Sequence, residues 1–197
     1  FWGTSWCKHF ESYRDYANRL PRGRTYARNG SIVHLEILSG KVTAMVAGSD
    51  LYHIEIKIEQ MPSKTWARLC KKCTSSVTST IDLLQGKLPA PVLETLTNPK
   101  NDLFPRKNEI QLDCDCPDWA GLCKHLAAVL YGVGNRLDDA PELLFLLRGV
   151  DQNGLIGRSL DLISDASVNI EGAQRLESNG LEDIFGIELV DSANSKD

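Results

Sequence analysis

Cys114-Asp115-Cys116-Pro117-Asp118-Trp119-Ala120-Gly121-Leu122-Cys123-Lys124-His125 places three thiols and one imidazole within twelve residues. Zinc takes such a donor set tetrahedrally. The preceding stretch, Glu109 to Cys116 (EIQLDCDC), reads as a short strand. Side chains two apart on a strand share a face, so Cys114 and Cys116 can grip one ion together. Pro117 and Asp118 turn the chain, and an apolar helical run starts near Leu122. Two residues on a helix span about 200°, so Cys123 and His125 cannot share a face within a regular helix. The spacing therefore sets Cys123 at the helix start and His125 in its first turn.

Other uses of these residues fit less well. A disulfide between Cys114 and Cys116 would be badly strained, and it would leave Cys123 and His125 unexplained. A Cys-His catalytic pair needs no second and third thiol beside it. Four protein donors fill a tetrahedron, which marks one structural ion rather than a catalytic metal with an open position.

Outward from this site, Cys7 to Leu20 carries Phe10, Tyr13, Tyr16, Ala17 and Leu20 at helical spacing, and Pro21 and Gly23 are expected to end that helix. Ser31 to Leu38, Lys41 to Ala47 and Leu51 to Ile58 alternate apolar and polar residues. Ser39-Gly40 and Gly48-Ser49-Asp50 join them, which predicts an antiparallel meander. Ser63 caps an expected helix to Cys73, with further helices over Val77–Leu84 and Pro91–Leu96. Residues 98–108 read as a loop. The helix from Leu122 to about Gly134 and a short apolar helix over Pro141–Leu147 follow, and glycines between Asp151 and Gly157 suggest a boundary. The fold class expected is α+β.

At 42% hydrophobic and 24% charged, the 197-residue chain has the composition of a soluble globular protein. No apolar run approaches the roughly 18 residues of a membrane span. Thiolate ligands favour a reducing compartment, so a cytoplasmic location is expected. The net charge of −4 hides a division. Residues 1–150 hold 19 basic and 16 acidic side chains, and residues 151–197 hold 3 and 10. The first thirty hold six basic and two acidic residues.

Arg19, Arg22, Arg24 and Arg28 punctuate RLPRGRTYARNG, read here as a loop leading into a strand, and offer guanidinium forks for phosphates or for a partner. Internal ion pairs are the competing use. On the finger, Lys124 stands among Asp113, Asp115 and Asp118, and three thiolates with one zinc leave a charge of −1. Such a finger holds phosphates poorly by itself. Cys7-Lys8-His9 and Cys70-Lys71-Lys72-Cys73 could join in a second metal site, or serve as ordinary or redox cysteines. His34 and His53 read as strand histidines, and Trp2, Trp6, Trp66 and Trp119 as core or interface anchors.

The pattern Cys-x-Cys, a short gap and Cys-x-His, followed by the helix LAAVLYGVG, resembles the SWIM zinc finger. The segments WCKHFESYRDYANRLPRGRTYARNGSIVHLEI, LLQGKL and CPDWAGLCKHLAAVLYGVGNRLDDAPELLFLLRGVD extend the likeness to bacterial stand-alone SWIM proteins, over roughly Phe1 to Asp151. The resemblance implies an N-terminal α+β region (1–108), with a β-meander and a helical middle. It implies a ββα finger packed on helices with its following helix (109–151); beyond the likeness, the residues themselves read as an acidic, partly helical extension (152–197). The resemblance implies one structural zinc on Cys114, Cys116, Cys123 and His125. It also implies a non-enzymatic accessory module that docks to a Swi/Snf-type helicase-like ATPase and assists nucleic-acid engagement. A self-sufficient DNA- or RNA-binding zinc finger protein is the alternative. No P-loop, nucleophile–base pair or open metal signature points to an enzyme.

Overall fold

The computed structural model describes residues 1–13, 16–74 and 90–155. The expected helix at Val77–Leu84 and the acidic tail beyond Leu155 lie outside these residues. Helices α1 (Trp2–Glu11) and α2 (Leu20–Arg28) lead into strands β1 (Ile32–Leu38), β2 (Lys41–Ala47) and β3 (Leu51–Ile58). Then come α3 (Ser63–Thr74), α4 (Ala90–Thr97), two short 3₁₀ turns, β4 (Ile110–Cys114), α5 (Lys124–Asp139) and α6 (Glu142–Leu147).

The sheet is antiparallel, in the order β1-β2-β3-β4. β3 and β4 pair with Ile54 opposite Cys114 and Ile58 opposite Ile110. The finger's strand therefore completes its ββα unit with a partner from the meander. Period-2 alternation sends Val42, Ala44, Val46, Ile54, Ile56 and Ile58 into the core, where all are buried. Segments 1–108 and 109–151 thus share one sheet and one core.

α5 packs against the sheet and against both α1 and α2. Every residue from His125 to Gly134 is buried, as expected of a helix enclosed by protein on several sides. Its neighbours approach closely through glycine. A Cβ on Gly23 of α2 would lie 2.3 Å from the Ala127 Cβ, and one on Gly3 of α1 would lie 2.3 Å from the Gly134 carbonyl oxygen.

Two sequence expectations are corrected here. The first helix spans Trp2–Glu11 instead of Cys7–Leu20, and RLPRGRTYARNG is largely the helix α2 rather than a loop. Pro21 does not end a helix; it sits in the first turn of one, where its missing N–H costs no intrahelical bond. Gly23 does not break that helix because contact with Ala127 outweighs its propensity.

Arg148, just after α6, is fully buried. It donates to the carbonyls of Glu59 (2.5 Å) and Asp102 (3.2 Å) and lies 3.3 Å from the Glu109 carboxylate. That one side chain ties the end of β3 to the segment before β4.

Candidate metal centre

Cys114 closes β4, Cys116 lies on the knuckle, Cys123 is the N-cap of α5 and His125 sits in its first turn. The Cys123 backbone is extended, and its Sγ accepts from the Leu126 N–H at 3.4 Å. A non-helical residue before a regular first turn lets Cys123 and His125 converge despite their spacing.

The four donor atoms lie within 4.8 Å of one another, and Cys114 Sγ is 3.9 Å from His125 Nδ1. Tetrahedral zinc with ordinary Zn–S and Zn–N lengths sets its donors about 3.5–3.8 Å apart. The residues fit the ion with a small contraction. Among the described residues this is the one such cluster of metal-ligand side chains.

Burial pushes the Cys114 and Cys123 thiols up from their ordinary range, with neighbouring thiols contributing. Burial, then the adjacent Lys124 ammonium, pushes His125 down, toward the neutral imidazole that a metal needs. Thiols crowded in this way lose their protons to solvent readily only as a cation binds the sulfurs, which couples metal binding to proton release.

Two tyrosines missed in the sequence set the histidine's orientation. Tyr52 stacks on His125 with centroids 4.2 Å apart and planes 20° apart, and Tyr26 meets it edge-on at 5.6 Å. Nδ1 then faces the thiols. Nε2 is buried without a hydrogen-bond partner beside Gly48, where an added Cβ would lie 3.2 Å away. Tyr52 shares a strand face with the buried Ile54, Ile56 and Ile58, but nothing in the sequence tells which helix it meets.

Two of the acidic residues around the site are engaged. Asp115 accepts from the His53 N–H (2.9 Å) and lies 3.1 Å from His53 Nδ1, pinning the finger to β3. Asp118 pairs with Arg19 at 3.2 Å and accepts from the Ala120 N–H. Between them Trp119 is fully exposed, so it is no part of the core. Trp2 and Trp6 are buried, and Trp66 packs edge-on against Phe145.

Of the four arginines, Arg24 is also engaged internally, with Glu11 and Tyr131. Arg22 and Arg28 are exposed on α2. His9 Nε2 lies 2.9 Å from the Pro105 carbonyl oxygen and 2.9 Å from the Tyr13 hydroxyl, while Cys70 and Cys73 are buried in α3. These residues do not converge with Cys7 on a second cluster among the described residues. Burial raises Cys7 to about 11 and Cys73 to about 12, away from redox reactivity. His34 is exposed on β1.

The family model for the SWIM zinc finger matches residues 96–133, from the end of α4 into α5. The chain is also similar to the uncharacterized protein Rv2102 of Mycobacterium tuberculosis, 34% identical over 159 residues, which are 78% of this chain and 57% of that protein. It therefore spans a little over half the length of that relative. No solved structure gives a significant match. Among the described residues, no helix is long and apolar enough to cross a membrane. Residues 96–133, with three thiols and one imidazole gathered by β4 and α5, thus form a SWIM zinc finger within the chain.

Proposed function

We propose that the chain is a non-enzymatic accessory module in which zinc fixes the finger, and that it docks to a Swi/Snf-type DNA-dependent ATPase and with it engages nucleic acid. The observation that carries this reading is the closed donor set beside the outward-facing Trp119. Cys114, Cys116, Cys123 and His125 would hold zinc, whose chemistry there is to cross-link β4 to α5. Four protein donors leave no position for substrate or water. A binding module is the use left to such a site. The likeness to stand-alone SWIM proteins supports the choice of partner.

A second reading, a self-sufficient nucleic-acid binder, draws on Arg22 and Arg28, exposed on one helix. Affinity purification of the tagged chain from its native cell distinguishes the two. The adaptor reading expects the ATPase to co-purify, and the isolated chain to bind DNA no tighter than about 1 μM at physiological salt, within the non-specific range. Recovery of no ATPase, with tight sequence-specific binding by the chain alone, would favour the second.

A further inference from the structure

β4 is an outer strand of the sheet among the described residues. Asp115 N–H donates to the His53 carbonyl, and Glu59 N–H donates to the Glu109 carbonyl. Odd-numbered positions of β4 therefore exchange bonds with β3, and even-numbered ones direct theirs away from it. The Ile110 N–H is taken by the Lys107 carbonyl. The Ile110 C=O and both backbone groups of Leu112 face the open edge. A cleft of about 590 Å³ is lined by Ile110 and Leu112 of this strand together with Asn18, Arg19, Gly121 and Leu122. Lys107 also lines it, with its ammonium 5.8 Å from the Tyr16 ring centre. Among the described residues the lining carries two cations and no carboxylate, although Arg19 is shared with Asp118.

We propose that this edge and the adjoining Trp119 form a docking cleft for an extended segment of a partner protein that alternates apolar and acidic residues and adds to the sheet beside β4. Open edge groups of Leu112 supply main-chain bonds, the pockets between alternate positions take apolar side chains, and Arg19 and Lys107 face the acidic ones. The Asp118 side chain, bonded to the Ala120 N–H and paired with Arg19, holds the backbone turn that carries Trp119 outward. Large aromatic side chains dominate interface energetics once buried by a partner. An edge that no strand covers among the described residues is an aggregation hazard, which a standing partner removes. The assignment rests on the adaptor reading for the identity of the partner, but not for the chemistry of the cleft.

The test is selection of a random dodecapeptide phage library on the zinc-loaded full chain, with counter-selection on Trp119→Ala/Lys107→Glu. Both positions lie outside the core, and equal zinc content and melting temperature establish that the variant is folded. Enriched peptides should alternate apolar and acidic residues and bind the variant at least tenfold more weakly. They should lose at least tenfold when the amides at alternate positions are N-methylated. Enrichment that the variant retains, affinity indifferent to N-methylation, no enrichment at all, or displacement of the peptide by a 20-nucleotide oligothymidine that binds more tightly would each overturn the proposal. Should the ATPase co-purify equally with both proteins, the adaptor reading stands and the cleft falls. Should the peptides select as expected while no ATPase is recovered, the cleft stands and that reading falls.

Discussion

His125 is held by the aromatic rings beside it rather than by a hydrogen bond on its far nitrogen. Metal-bound histidines usually donate their second N–H to a carboxylate or carbonyl, and loss of that support costs roughly 10–100-fold in metal affinity. Tyr52 stands in for the partner. Tyr52→Ala is expected to weaken zinc about tenfold or more in chelator competition, whereas Tyr52→Phe keeps the stack and stays near wild type. Equal affinity for all three would show that the thiols alone orient the ring. Away from the metal, burial holds His9 below its ordinary 6.5, with the Pro105 bond opposing in part. The unfolded chain then takes the proton first as pH falls below about 6.5, so stability present above that value declines toward the folded value. Urea unfolding between pH 7 and pH 5 should show this decline, and His9→Gln should flatten it. The four zinc donors were legible because the whole ligand set is local in sequence. Tyr26, Tyr52 and Gly48 were not, because they reach the site through tertiary contact.

At the scale of elements, the meander was readable to within a residue for β1, and over Lys41–Ala47 and Leu51–Ile58 as observed, because alternation and turn glycines act locally. The N-terminal helices were misread for a physical reason. Pro and Gly in RLPRG are breakers in the interior of an exposed helix, but here one occupies a first turn and the other a helix crossing. The same contact makes a prediction. In an isolated helix Gly→Ala gains about 1 kcal/mol. In α2, Gly23→Ala drives a methyl into Ala127, so net destabilisation of about 1–3 kcal/mol is expected from overpacking. Thermal unfolding measures it, and a higher melting temperature would mean that α2 stands further from α5 than described.

Across the whole molecule, the finger is a corner of the shared core and not a bead on a string. β4 pairs with β3, Asp115 grips His53, and α5 packs against the sheet and both N-terminal helices. Cross-linking β4 to the start of α5 therefore fastens the sheet edge to the central helix. Structural zinc in small fingers contributes on the order of 10 kcal/mol of apparent binding free energy, comparable to the total stability of a domain. The measurement that bears most directly on this is elemental analysis of the purified chain joined to unfolding before and after zinc removal by a chelator. One equivalent of zinc is expected, absent in Cys116→Ser, with removal abolishing the cooperative transition and restoration of zinc recovering it. A chain that melts identically with and without its metal, or that holds two equivalents with the second lost on mutating Cys70 or Cys73, would contradict the account.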